Sequence, residues 1–276
     1  MSIYVRRFSR YEGKLEPPRG RFRVILLAEL RRIFADKWWR RFLFGAAMPA
    51  VMMAGWLYLM TTFQEATGAE LDFPFFSVLF GWQFSWLGIM QAWFGASMIT
   101  GDMQTKALSL YFTRPIDATQ YLLGKLGATM ALALTITWIP SLLVAVVQYS
   151  VADHLTFGAF AENVWSITAC SMGAAFTTSA LILLLSSTGL SARYVGITWL
   201  GAFVFLEAIR GILSESTGRS EALDVLSLAR LLSGSVEYYF LGASHKLGSV
   251  ITLWGVGALL TLILRIRLSG FEKARS

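Results

Sequence analysis

The sequence DMQTKALSLYFTRPIDATQYLLGK, residues 102–125, is the main polar interruption in the first half of a chain that is otherwise strongly apolar. It carries two acidic and three basic residues, and uncharged runs of more than 20 residues lie on both sides of it. A helix of about 20 apolar residues spans the roughly 30 Å hydrocarbon core of a bilayer. Residues 102–125 are therefore predicted to connect two membrane spans and to leave the bilayer between them.

The composition also favours a membrane protein over a soluble one. Of the 276 residues, 55% are hydrophobic and 15% are charged, against about 25% charged residues in a typical soluble domain. The formal net charge of +7 is explained by basic residues that flank the spans, so we expect contact with membrane lipid and none with nucleic acid. Because Cys170 is the single cysteine, the chain cannot form an internal disulfide or a cysteine metal site.

Six apolar segments predict six transmembrane helices, and the predicted fold class is an all-α, polytopic membrane protein. The predicted spans are residues 42–62, 75–100, 121–149, 164–186, 194–213 and 247–264. The predicted division of the chain is a cytoplasmic tail with an interfacial helix (1–41), a transmembrane domain (42–267) and a second cytoplasmic tail (268–276).

Residues 21–41 have the pattern of an amphipathic helix that is too charged to span a membrane. The predicted apolar face consists of Phe22, Leu26, Leu30, Ile33 and Phe34, and the predicted polar face includes Glu29, Arg32 and Asp36. This pattern predicts a helix in the headgroup region, or a cytosolic helix that packs on a partner protein. The residues predicted to meet the membrane interface are Arg31, Arg32, Trp38 and Trp39.

The distribution of basic residues predicts the orientation of the chain. Twelve of the 24 Lys and Arg residues precede residue 42, three lie in residues 102–125, one is Arg193 and four follow residue 264. Twenty of the 24 thus fall on one predicted side. Both termini and the 102–125 connection are expected on the cytoplasmic side of a cell inner membrane, and residues 214–245 on the outside.

The 102–125 stretch resembles the coupling loop of the permease subunits of ATP-binding-cassette exporters of the second class (ABC-2 type). Asp102 matches the acidic residue of that pattern, and residues 121–125 (YLLGK) match the entry into the third span. Residues 105–108 (TKAL) stand for a Gly-Thr-Leu-like triplet, although Lys106 and Ala107 occupy positions where glycine is usual. Residues 110–116 (LYFTRPI) match the Leu-Leu-Ser-x-Pro-like turn.

The resemblance implies a six-span permease that pairs with a second permease copy, identical or related, and with two cytosolic ATPase subunits. It places the coupling loop at residues 101–120. The ATPase-coupling residues it implies are Asp102, Gln104, Lys106, Arg114, Pro115 and Asp117. A short helix from about residue 102 to 111 would place Asp102 near its N-terminus, where the helix dipole favours an anion. Pro115 would end it. A solvated loop with ordinary turn chemistry is the alternative.

The chain has none of the residue patterns of an enzyme. It contains no G-x-x-x-x-G-K-[ST] phosphate loop, so ATP and Mg are expected in the partner ATPase, with no cofactor in this chain. Ser97 has no histidine base at membrane depth, because His154 and His245 both fall in predicted outer segments. No catalytic residue and no metal site are predicted.

Polar and aromatic residues within the spans are candidates for a transport pathway. These candidates are Gln83, Trp86, Gln91, Thr135 and Glu207. The glutamines fit interhelical hydrogen bonds as well as they fit cargo contact. Glu207 either forms a same-face ion pair with Arg210 or reaches the outer interface. The face that Trp86 shares with Trp82 and Trp93 is an anchor to lipid, a helix contact or a wall for cargo.

Residues 214–245 are predicted to contain a short helix at 221–232 and an aromatic cluster at 236–241. The resemblance implies that they form short re-entrant-like helices before the last span. Because no cluster of fixed charge falls at the membrane centre, an amphipathic, lipid-like or hydrophobic cargo fits better than a small ion. Two other hypotheses are a mechanotransmitting subunit that works on an extracytoplasmic partner without transporting cargo, and a membrane scaffold.

Overall fold

The computed structural model describes residues 20–67, 73–112, 116–151, 156–217 and 223–273, and all regular secondary structure in these ranges is helical. The α-helices are α1 (Phe22–Phe34), α2 (Lys37–Thr67), α3 (Phe75–Met90), α4 (Ser97–Gln104), α5 (Ala107–Phe112), α6 (Ala118–Val151), α7 (Phe157–Ser186), α8 (Ala192–Thr217), α9 (Leu228–Phe240) and α10 (Leu247–Lys273). A π-helical turn, Gln91–Gly95, lies between α3 and α4, and 3₁₀ turns occupy Asp224–Leu226 and Ser244–Lys246.

Within the described residues, five helices are long and apolar enough to cross a membrane: α2, α6, α7, α8 and α10. The chain is therefore a multi-pass membrane protein by length and composition. Helix α7 is the most buried of the five and lies at the centre, packed against both α6 and α10. Thr177 of α7 donates a hydrogen bond to the carbonyl oxygen of Leu253 in α10 at 2.7 Å.

The predicted second span, residues 75–100, is not one regular helix. Helix α3 ends at Met90, the chain makes the π turn, and α4 continues to Gln104. In the turn, the Ala96 amide donates to the Gln91 carbonyl at 3.0 Å, a bond that includes one residue more than the α-helical pattern. A Cβ atom on Gly95 would lie 2.6 Å from the side-chain oxygen of Gln91, so a larger residue at this position would displace that side chain.

Helix α1 packs on the first turns of α6 at two glycines. A Cβ atom on Gly124 would lie 2.8 Å from Cβ of Ile25 and 2.9 Å from the carbonyl oxygen of Phe22. The predicted polar face of α1 is wrong at Glu29, because the residues that α1 buries are Ile25, Glu29 and Ile33, at intervals of four. Phe34, which was placed on the apolar face, is exposed. Glu29 is buried because its carboxylate pairs with the ammonium group of Lys125, a buried residue of α6.

Helix α9 packs against α3, α7, α8 and α10. Its last residue, Phe240, stacks on Phe76 of α3 with ring centroids 5.1 Å apart. The predicted helix at 221–232 is wrong in its bounds: a 3₁₀ turn ends at Leu226, Ser227 caps α9 by accepting a hydrogen bond from the Arg230 amide, and one helix continues through the predicted aromatic cluster.

Candidate functional site

Lys125 is fully buried near the start of α6 and holds three elements of the chain together. Its Nζ atom donates to Oε1 of Glu29 in α1 at 2.6 Å and to the carbonyl oxygen of Met98 in α4 at 2.7 Å. The same atom lies 2.7 Å from Oδ2 of Asp102, also in α4. An ammonium group has three N–H donors, and these three oxygens account for all of them.

Two further side chains complete this group. The Tyr121 hydroxyl, one helical turn before Lys125, donates to Oδ2 of Asp102 at 2.7 Å. The guanidinium of Arg32 lies 2.8 Å from Oε2 of Glu29. We call Glu29, Arg32, Asp102, Tyr121 and Lys125 the Lys125 cluster; its two carboxylates and two cations balance in charge. Buried charges are tolerated only when they are paired and hydrogen-bonded in this way.

Local structure explains why these residues meet. Gly124 and Gly127 remove side-chain bulk from the face of α6 that meets α1, so that Glu29 reaches Lys125. Helix α4 is held from another direction by Ser186 at the end of α7. Its hydroxyl accepts hydrogen bonds from the amides of Ile99 and Thr100, both at 3.0 Å. The cluster therefore joins a fixed helix end to the N-terminal helix and to the polar connection.

The predicted helix from residue 102 to 111 is wrong. Asp102 lies in the last turn of α4 instead of at a helix N-terminus, and α5 begins only at Ala107. Lys106 interrupts the helix with a left-handed φ of 57°, a conformation uncommon outside glycine. The carboxylate of Asp102 at a helix C-terminus is unfavourable by the dipole, and Lys125 and Tyr121 compensate for it.

The other predicted coupling residues fall into two groups. Gln104 at the end of α4, Lys106 just before α5 and Asp117 just before α6 are all exposed. Arg114 and Pro115 lie outside the described residues. The exposed groups thus form the surface of the connection, whereas Asp102 is partly buried and forms its anchor.

The predicted interfacial residues do not share one environment. Arg31 and Arg32 are exposed on α1. Trp38 is also exposed and packs beneath the guanidinium of Arg41, 4.6 Å from the ring centroid. Trp39 is only 4% exposed and packs against Phe34 and Phe94. The ring of Trp39 therefore faces the interior of the bundle, whereas that of Trp38 faces outward.

The two glutamines make hydrogen bonds between helices of the same chain. Gln91 donates to Ser179 of α7 at 3.2 Å, and Gln83 accepts from Ser141 of α6 at 3.0 Å. Thr135 donates to the carbonyl of Ala131 at 2.8 Å.

The aromatic face of α3 is turned mostly outward. Trp82 and Trp93 are more than half exposed. Trp86 packs edge-on against Phe42 and lies over Gly45, where a Cβ atom would be 2.7 Å from its ring. In a single chain these rings are available to lipid or to a second chain, and Trp86 is a helix contact.

The permitted ion pair between Glu207 and Arg210 is confirmed, at 3.6 Å, and it belongs to a larger outer cluster. Glu207 also lies 2.9 Å from Nε of Arg230. Arg210 lies 2.7 Å from Asp224, and Lys246 lies 3.2 Å from the other oxygen of Asp224. The outer cluster, Glu207, Arg210, Asp224, Arg230 and Lys246, ties α8 to α9 and to the start of α10.

No protein-family model and no curated protein matches this sequence. Its function must be argued from these side chains and from the loop motif.

Sequence reasoning missed the roles of Glu29 and Lys125. A signal was present: a lysine a few residues inside a predicted span requires a partner, and the first turn of α6 offers none of opposite charge. The partner from α1 could not be named without the fold.

Proposed function

We propose that this chain is the membrane-spanning permease subunit of an ATP-driven exporter of the ABC-2 type. Two permease copies, identical or related, form the pathway, and two cytosolic ATPase subunits supply ATP hydrolysis with Mg. The cargo is amphipathic or lipid-like and moves outward from the cytoplasm or the inner leaflet. In this proposal the run from α3 through α4 is the second of six spans, both termini are cytoplasmic and the membrane is the cell inner membrane.

The observation that carries the proposal is the position of Lys125. An exporter of this kind requires a mechanical connection between the surface that meets the ATPase and the spans that line the pathway. Lys125 binds Asp102, two residues before the end of α4, and Glu29 in the N-terminal helix at 2.7 Å and 2.6 Å. A displacement of the exposed connection therefore moves α1 and α6 together, since neither carboxylate can leave the buried ammonium without a large cost.

The π turn provides the place where such a displacement is absorbed. Interruptions of this type are common at kinks and at functional sites. Below the turn, α4 is bound to Ser186 and to Lys125. Above it, the indole of Trp199 donates to the carbonyl of Gly88 at 2.8 Å. Movement of α4 thus changes the angle to α3 while α3 stays fixed to α8.

Co-purification tests the proposal. The chain is co-expressed with an ABC-type ATPase from a neighbouring coding region, solubilised in mild detergent and isolated by a tag on the chain. The test variant is the double substitution Gln104→Arg with Asp117→Arg, both at exposed positions. The matched control is Glu215→Arg, at an exposed position in the last turn of α8. Asp102 is left intact, because it is bound to Lys125 and its replacement would disturb the fold as well as the surface.

We expect the ATPase to co-purify with the wild type and with the control, and to be lost by at least tenfold from the double variant. If no ATPase is retained by the wild type, or if the double variant retains it fully, the exporter proposal fails. Thermal unfolding of each variant, followed by tryptophan fluorescence, checks that the loss is not caused by misfolding.

A further inference from the structure

A cavity of about 820 Å³ lies at the end of the bundle away from Lys125. It is bounded by the start of α3, the end of α6, the start of α7 and the end of α9. Gln148, which lines it, lies on α6 roughly 34 Å beyond Lys125 at about 1.5 Å per residue. This distance is comparable to the thickness of a hydrocarbon core, so the cavity and the Lys125 cluster lie at opposite ends of the span.

The lining of this cavity combines aromatic rings with polar side chains, among them Gln148, Asn163 and Ser166. Phe73, Tyr238 and Tyr239 contribute rings. The rings of the two sequential tyrosines lie at an interplanar angle of 80° with centroids 5.1 Å apart. Glu162 carries the only formal charge among the described residues that line the cavity, and it is exposed. Burial raises the pKa of the Tyr239 phenol above its usual value.

The carboxylate of Glu162 has no Lys or Arg beside it among the described residues that line the cavity. Residues 42–105 and 126–192 contain no Lys or Arg. Glu162 lies in the second turn of α7, within the second of these two runs. The outer cluster, by contrast, pairs its carboxylates with Arg and Lys. The carboxylate of Glu162 therefore gives the described lining of the cavity a net negative charge, which attracts cations and repels anions.

We propose that this cavity binds an amphipathic organic cation, an amine or quaternary ammonium group attached to an aromatic or aliphatic body. The carboxylate of Glu162 supplies the opposite charge. The faces of Tyr238 and Tyr239 supply cation–π attraction for the charged group and apolar contact for the body. The idea that this ligand is the exported cargo rests on the proposed function, but the binding itself does not.

Binding is measured on the full chain alone, in nanodiscs of zwitterionic lipid, by ligand-observed NMR titration. The probes are benzyltrimethylammonium and benzenesulfonate, which have similar size and opposite charge, and empty nanodiscs give the lipid background. The variants are Glu162→Gln and Glu215→Gln. Both glutamates are exposed, but only Glu162 lines the cavity.

We expect saturable binding of benzyltrimethylammonium, at least tenfold weaker binding of benzenesulfonate, and a loss of about tenfold in ammonium affinity for Glu162→Gln but not for Glu215→Gln. Equal binding of the two probes, no binding above background, or an unchanged affinity in Glu162→Gln overturns the inference. If the chain binds the cation but retains no ATPase, the cation site stands and the exporter proposal fails. If the chain retains the ATPase but does not bind the cation, the exporter proposal stands and the cation site fails.

Discussion

The Nζ atom of Lys125 lies 2.6 Å from Oε1 of Glu29, although the two residues are 96 positions apart in the sequence. This contact fixes the N-terminal helix to the first turns of α6, where the apolar faces of the two helices also meet. Because Lys125 has no exposed surface, water cannot replace Glu29 as its partner. Movement of α1 away from α6 would therefore leave the ammonium group of Lys125 without Glu29 as a partner.

Replacement of Lys125 by Met should destabilise the protein strongly. The methionine fills a similar volume, but Glu29 and Asp102 are left near each other without the cation between them. Removal of one partner from a buried ion pair costs about 3–5 kcal/mol. We expect a clear fall in the melting temperature of the detergent-solubilised chain, measured by tryptophan fluorescence.

Two comparisons identify the cause. Lys37→Met, at an exposed position, should leave the melting temperature almost unchanged. Combining Lys125→Met with Glu29→Gln and Asp102→Asn should recover most of the loss, since the uncompensated charges are gone. A Lys125→Met chain as stable as the Lys37→Met chain would show that the buried ammonium does not hold the helices together.

Addition of one methyl group at Gly124 should separate α1 from α6. In Gly124→Ala the new Cβ would lie 2.8 Å from Cβ of Ile25 and 2.9 Å from a backbone oxygen, so neither neighbour can rotate away. Overpacking of this kind costs about 1–3 kcal/mol. We expect faster tryptic cleavage after Arg31 as well as a lower melting temperature.

The matched control is Gly255→Ala in α10, where no atom lies within 4 Å of the new methyl group. This change should be neutral or stabilise the helix by up to about 1 kcal/mol, because alanine has the higher helix propensity. Equal cleavage rates in the two variants would contradict the close packing of α1 on α6.

Much of the fold follows from the sequence because an apolar run long enough to span a bilayer is a local signal. The predicted spans 42–62, 121–149, 164–186, 194–213 and 247–264 all fall on helices that are long and apolar enough to cross. Segment 75–100 is just as apolar, but its hydropathy gives no sign of an extra residue in one turn. The π turn depends on contacts of Gly95 and Gly196 with distant atoms, so it could not be predicted.

The candidate site was predictable only in part. Asp102 and the polar connection stand out in an apolar chain, and the spacing of Glu207 and Arg210 permits the ion pair that the structure contains. The sequence predicts the wrong face of α1 for Glu29, because hydrophobic periodicity places every charged residue on the exposed face. A charged side chain can be buried when a residue of opposite charge lies on the neighbouring helix. The partner in this case was Lys125, and only the tertiary fold brings it to α1.

The contact between α8 and the π turn should be sensitive to Gly196→Ala. The added Cβ would lie 2.7 Å from the carbonyl oxygen of Ala92, which belongs to the turn itself. We expect the melting temperature to fall, with a cost of about 1–3 kcal/mol. Gly201→Ala in the same helix meets no atom within 4 Å and should have no such effect. Similar stability of the two variants would show that α8 does not support the turn.

Replacement of Asp224 by Asn should loosen the outer cluster. Asp224 is the shared partner of Arg210, at 2.7 Å, and of Lys246, at 3.2 Å, and its side chain is only 12% exposed. We expect a loss of about 3 kcal/mol, the lower end of the range for a broken buried pair, because Arg210 keeps Glu207 as a second partner. The control Glu215→Gln removes an exposed carboxylate on the same helix as Arg210 and should change the melting temperature little.

Hydrogen exchange of α9 provides the second measurement: its amides should exchange faster in Asp224→Asn, whereas those of α1 should not. If α9 keeps its protection, the packing of Phe240 and the leucines of α9 holds that helix without help from the ion pairs.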